Sequence, residues 1–137
     1  TNIQKLGIPL MQTKLLKPSV YEEVSVFKHL GAKERVSISN TQNTLWFIMQ
    51  IDGELAGCCG LYLAKAKARL KSVYTLPQYR GQGLGDLATD YRINKAKELN
   101  YKQVETLTVN PSYYAKKGFV MKSKVRNGVW KMTRDLV

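Results

Sequence analysis

The sequence predicts a mixed α/β domain, a sheet of six to seven strands flanked by helices, and three observations carry that prediction. Short runs rich in β-branched and aromatic residues recur along the chain, of which 44–51, Thr-Leu-Trp-Phe-Ile-Met-Gln-Ile, is the clearest. Two stretches with helical spacing of apolar side chains stand among them, the second opening directly after a glycine cluster at Gly81, Gly83 and Gly85. The chain has 137 residues, one domain's length, so residues 1–137 are expected to fold around a single core.

Taken in order, residues 10–16 read as a first strand, stopped by Lys17-Pro18-Ser19. Ser19 and Glu22 have the spacing of a capping box, so a helix should follow, burying Tyr21, Val24, Phe27 and Leu30 and closing at Gly31. Residues 32–43 are polar and give no clear signal. Asp52-Gly53 is a hairpin turn joining 44–51 to a second strand over 55–63. A third strand, roughly 69–76, ends at Pro77, which lacks the N–H a continuing ladder needs. After the glycines, Leu84, Leu87, Ala88 and Tyr91 set the buried side of a helix reaching Leu99. Asp86 in its first turn and Lys95 and Lys97 in its last suit the helix dipole, and Asn100 can close it. Then come a strand (103–109), a short helix (111–117), a strand (119–125), a turn at Arg126-Asn127-Gly128 and a last strand from Val129.

Composition excludes several classes. A hydrophobic fraction of 44% argues against disorder, and no run of about 18 apolar residues offers a spanning helix. Residues 1–10 carry Gln4, Lys5 and Gly7 where a signal peptide would be apolar, so a cytoplasmic, membrane-free protein is expected. Cys58 and Cys59 are adjacent, point to opposite faces of any strand and cannot staple the fold; with His29 they are too few, at the wrong spacing, for a zinc site, so no metal is expected. The net charge is +12, and it is uneven: residues 1–64 hold six basic and five acidic side chains, residues 65–137 sixteen and five. Such a field draws polyanions, so nucleic acid, an acidic protein surface or a phosphorylated cofactor are all admissible partners, beside plain solubility.

A strand that passes through a glycine-rich turn into a helix points backbone N–H groups outward at a positive helix end, an arrangement suited to phosphate. Three phosphate loops compete for residues 75–88. The Walker A loop requires Gly-Lys-Ser/Thr, whereas Gly85 is followed by Asp86. The dinucleotide fingerprint fits as Gly83-x-Gly85-x-x-Ala88, with Glu105 about 20 residues on, but residues 76–80 separate it from its strand and too little chain follows. In the third, Arg80-Gly81-Gln82-Gly83-Leu84-Gly85 resembles motif A of the GNAT superfamily of N-acetyltransferases, Arg/Gln-x-x-Gly-x-Gly/Ala. Tyr114-Ala-Lys-Lys-Gly118-Phe119 is similar to that family's Tyr-x-x-x-Gly-Phe segment, and Ile51-Asp-Gly53-Glu-Leu-Ala-Gly57 to its hairpin between the second and third strands. The resemblance covers residues 8–137.

The resemblance implies a GNAT-like, largely antiparallel central sheet and transfer of an acetyl or other acyl group from acyl-coenzyme A to an amine. By that analogy the N–H groups of Arg80, Gly81, Gln82, Gly83, Leu84 and Gly85 cradle the pyrophosphate of acetyl-CoA, and Val73, Tyr74 and Thr75 pair with its pantetheine arm. Asn110 falls where members often have a cofactor-contacting asparagine. Tyr114 falls where many have the tyrosine that protonates the leaving thiolate, with Tyr113 as its neighbour should the register shift by one. Asn110 and Tyr114 stand closer together than in typical members. The glutamate base that many members carry before motif A is missing from Arg69-Leu70-Lys71-Ser72, which leaves Glu105 or Asp90 as weak candidates, water, or an amine that is already neutral.

For the acceptor, Lys65, Lys67, Arg69 and Lys71 alternate along one expected strand and Lys122, Lys124 and Arg126 along another. They form either protected, solvated edges or a basic wall for an acidic or nucleic-acid-borne amine. A silent module of the same fold, binding nucleic acid or a protein partner, is the alternative that the missing glutamate supports. Oligomeric state is open, a dimer being admissible.

Overall fold

A computed structural model describes residues 12–137. Its strands are β1 (Lys14–Ser19), β2 (Thr44–Ile51), β3 (Glu54–Leu63), β4 (Ala68–Thr75), β5 (Gln103–Thr108), β6 (Val120–Arg126) and β7 (Val129–Asp135). They form one seven-stranded sheet in the order β1-β2-β3-β4-β5-β7-β6, in which only β4 and β5 run parallel. The expected mixed α/β sheet is the one observed.

Helices α1 (Tyr21–Val24) and α2 (Lys28–Lys33) cover one face, and α3 (Leu84–Glu98) and α4 (Pro111–Lys116) the other. The split follows strand alternation. Cys58 packs with Val24, Phe27, Ile38 and Trp46 on the first face, and Cys59 with Phe47, Leu61, Leu84 and Ala88 on the second. Both thiols are free and buried, and burial pushes that of Cys58 up to about 12.

Three expectations near the N-terminus need correction. The first strand is Lys14–Ser19, not 10–16; the part before residue 12 lies outside the described residues. It runs through Pro18 because β1 is an edge strand, where a missing N–H costs no ladder bond. Ser19 and Glu22 form no capping box, since the helix starts after Val20 and Ser19 Oγ instead donates to Glu23 Oε1 at 3.0 Å. The long helix expected there is split by a 3-10 turn at Ser25–Phe27, Leu30 is exposed, and Gly31 lies inside α2, held by Ile38 and the Val36 carbonyl 3.0 Å from where its Cβ would be.

The turns follow the sequence more closely. Asp52 and Gly53 have φ of 50° and 81°, the paired positive values that a two-residue hairpin requires. Asn100 closes α3 at φ 64°, with Tyr101 N–H donating to the Ala96 carbonyl at 3.0 Å.

Candidate active site

The sheet is forked at its centre. β4 and β5 pair only over Ala68↔Val104, Arg69↔Glu105 and Leu70↔Thr106, although β4 continues to Thr75 and β5 to Thr108. The cause is a bulge in β4, where the register against β3 slips between Cys58 and Gly60 and Ser72 takes φ 59°. Arg92 of α3, fully buried, holds the bulge from beneath, donating to the carbonyls of Gly60 (3.0 Å), Lys71 (3.2 Å) and Ala88 (3.0 Å). A buried cation is stable only with acceptors around it, and the bulge supplies carbonyls that the ladder cannot use. From above, Ser72 Oγ donates to the Ser37 carbonyl at 2.5 Å and Lys71 Nζ to Thr41 Oγ1 at 2.8 Å, so the polar 32–43 segment roofs the fork. Arg92 has no part in the sequence expectation. Its signal was position alone, four residues from both Ala88 and Ala96 on the buried side of α3.

On one side of β4 lies a cavity of about 380 Å³. Val73, Tyr74, Thr75, Arg80, Gly81, Gly83, Leu84 and Gly85 line it, eight of the residues expected to hold a cofactor. Gly81 and Gly83 have φ of 78° and 87°, and Gly83 is the N-cap of α3, whose first N–H groups have no helical partner. A Cβ on Gly81 or Gly85 would meet nothing within 4 Å, so these positions open directly onto the space a phosphate would take. Gln82 is half-buried, and its Oε1 has no partner in the protein. At Gly57 a Cβ would collide with the Tyr74 carbonyl, and only glycine lets β3 lie this close beneath the cavity. The charges at this rim are internally paired. Arg80 donates to Glu34 at 2.8 Å and to the Thr75 carbonyl at 2.9 Å, while Asp86 accepts from Lys117 (2.7 Å) and Tyr113 (2.8 Å), bonds that hold its carboxyl below the usual range.

On the other side, between β4, β5 and the 32–43 segment, lies a larger cleft of about 880 Å³. Tyr114 lines it, its ring edge-on to both Tyr113 and Phe119, whereas the Tyr113 hydroxyl is already engaged by Asp86. Asn110 stands at the N-cap of α4, accepting from Ser112 Oγ at 3.2 Å, and lines neither cavity. Glu105 and Asp90, the weak candidates for a base, line neither cavity as well. Glu105 is enclosed by Lys67 Nζ (2.7 Å) and Arg69 Nε (2.6 Å), and Asp90 is bound by Lys117 at 2.9 Å. Burial alone would raise the Glu105 carboxyl, but the bonds from Lys67 and Arg69 hold it below its ordinary value. The expected four-cation face on the β4 strand is therefore corrected: Lys65 and Lys67 precede the strand, and Lys67 and Arg69 both turn to one buried carboxylate, Glu105, which offsets one of their two charges.

Glu34, at the end of α2, lines both cavities and is the only carboxylate among the described residues that lines either. Arg80 Nη2 (2.8 Å) and the Tyr74 hydroxyl (3.2 Å) both donate to its Oε2, and the Arg80 bond holds the carboxyl below the usual range; Oε1 is used by neither. No local motif marks Glu34. It reaches the site only because the chain after α2 folds back over the fork.

A sheet forked between parallel strands, with a glycine turn at the N-terminus of the helix that follows, defines the class of α/β domain and leaves helix N–H groups free beside an open strand edge. The model of the acetyltransferase (GNAT) family matches residues 15–119, and the chain belongs to that family. A Bacillus subtilis (strain 168) protein described as a putative ribosomal-protein-bS18-alanine N-acetyltransferase is 28% identical over 83 residues. That match covers 61% of this chain and 54% of the relative, so the chain spans about half the length of the curated relative. The ribosomal-protein-S18-alanine N-acetyltransferase of Escherichia coli has the same fold, with a TM-score of 0.75 at 14% identity over 90% of this chain and 94% of that one. So does a GNAT acetyltransferase of Elizabethkingia anophelis solved with acetyl-CoA bound, with a TM-score of 0.67 at 18% identity over 90% and 98%. Among the described residues no group of three or more His, Cys, Asp and Glu could hold a metal ion, and no helix is long and apolar enough to cross a membrane.

Proposed function

We propose that the protein transfers an acetyl or other acyl group from acyl-CoA to the amine of an acceptor. The single observation that carries this reading is the fork, which puts a glycine cradle for phosphate and a separate cleft holding Glu34 and Tyr114 on two sides of one exposed strand edge. When bound, acetyl-CoA supplies the activated acyl carbon. The N–H groups of residues 80–85 hold its pyrophosphate, and the unpaired edge of β4 at Val73, Tyr74 and Thr75 orients the pantetheine arm as an added strand. Glu34, ionised at neutral pH, draws the amine to the junction of the two cavities. Water would take one proton from the ammonium, the neutral nitrogen would bond to the acyl carbon as the carbon–sulfur bond breaks, Tyr114 would give its proton to the departing thiolate, and the second proton leaving nitrogen would return to Tyr114 through water.

The acceptor is acidic or carried on nucleic acid. Arg35, Lys71 and Arg126 line the cleft, and the exposed β6 adds Lys122 and Lys124 beside it. The alanine N-acetyltransferase activity for which the Bacillus subtilis and Escherichia coli proteins are named makes a protein amino terminus the other specific candidate. The purified protein, mixed with acetyl-CoA and separate pools of amines, peptides and nucleic acids, should release free thiol with at least one pool. If it binds nucleic acid or a protein but releases no thiol with any pool, it is a silent module of the same fold.

A further inference from the structure

The first strand reaches the edge of the glycine turn. Lys14 and Leu16 lie on one face of that strand; Leu16 is buried in the core that includes Leu84, and Lys14 Nζ reaches to 3.9 Å from where a Cβ on Gly83 would stand. The start of β1 is held in place for this. Thr13 N–H donates to Asp52 Oδ1 at 2.8 Å, and Asp52 N–H returns a bond to the Thr13 carbonyl at 2.8 Å, so the hairpin turn pins the residue before Lys14.

The other charges at the cradle are committed within the protein, Arg80 to Glu34 and Asp86 to Lys117. Lys14 forms no ion pair among the described residues, and residues 1–11 contain no Asp or Glu that could provide one. A helix N-terminus and free N–H groups bear only partial positive charge, about half a unit, against a pyrophosphate diester carrying about two negative charges. The geometry points to Lys14 as the cationic ligand of that pyrophosphate, making the cofactor site a composite of residues 80–85 and the first strand. This rests on the acyl-CoA reading above and adds a binding residue that lies in no motif of the sequence.

The test is calorimetric titration with CoA and with 3′-dephospho-CoA. Lys14→Gln should raise the Kd for CoA about tenfold, the usual worth of one charge-assisted contact, and Lys14→Arg should stay within about twofold of the parent. Lys17→Gln removes the same unit of charge from the opposite, exposed face of β1 and should change the Kd less than twofold. The tenfold loss should persist with 3′-dephospho-CoA, which retains the pyrophosphate. A loss that vanishes with this probe would place Lys14 on the 3′-phosphate and overturn the assignment, as would equal losses in the two glutamine variants or none in either. Failure of the parent protein to bind CoA would instead overturn the cofactor reading itself.

Discussion

The two cavities flanking β4 are made in opposite ways. The smaller cavity is bounded by the glycine turn, with Arg80, Gly81, Gly83, Leu84 and Gly85 of one short segment at the start of one helix. The larger cleft is gathered from the 32–43 segment, β3, β4, β5, α4 and the β6–β7 hairpin. A backbone cradle depends on conformation and loses its function when a glycine is replaced. A cleft of side chains depends on packing at a distance and can change its chemistry by exchanging single residues while the fold stays. The two should therefore fail separately.

Tyr114→Phe is the largest expected break on the cleft side. It removes one hydroxyl, and turnover should fall by about 10² to 10⁴ while the Kd for CoA in calorimetry stays within about twofold. A fall below about threefold would take the proton-donor role from Tyr114. On the cradle side the pattern should invert. Gly83→Val puts a β-branched side chain at φ 87°, facing Lys14, and should weaken CoA binding by about 100-fold or more with the far-ultraviolet spectrum preserved, since the loop is exposed. Undiminished affinity in the folded variant would refute the cradle.

Glu105→Gln sharpens the comparison by asking what holds the walls of the fork. The carboxylate is fully buried among Lys67, Arg69 and, at 3.9 Å, Lys131, all of them partly exposed, so the loss in urea unfolding should be about 2 to 3 kcal/mol. The sign of the pH dependence follows from the lowered carboxyl. Its contribution is complete above the ordinary glutamate pKa of 4.5 and is lost as the pH falls through the lower folded value, so that part of the acid destabilisation should be absent from the variant. A variant as stable as the parent would reduce the cluster to a passive pairing. The smallest effect concerns the outer edge. Lys122→Glu with Lys124→Glu lies on an exposed strand, and if β6 meets phosphates, fluorescence anisotropy with a labelled duplex should show the salt slope falling by about 2. Binding indifferent to both changes would leave these lysines as protection of an edge strand.

Arg126 and Lys124 also show why the basic pattern was only half legible. Alternation places Lys122, Lys124 and Arg126 on one face of an ideal strand, but register shifts after Met121 and after Lys124 break it, and Lys124 instead lies over the Trp130 ring at 5.8 Å. A bulge leaves no mark in the spacing of charges.

What the sequence determined by itself is local. The hairpin at Asp52-Gly53, the glycine turn into α3 and its closure at Asn100 each require backbone angles that few residue types tolerate, so composition at those positions announces the structure. The glycine turn of residues 80–85 was legible for the same reason, being one contiguous segment. Only the tertiary structure decided that Arg92 would be buried under the β4 bulge, that Glu105 would pair with two of the cations in the basic run, that Glu34, just past α2, would line both cavities, and that Lys14 of the edge strand would reach Gly83. Those placements come from contacts across many residues of chain, where any charged side chain of suitable reach meets the same local rules and only the packed sheet selects which one stands at the site.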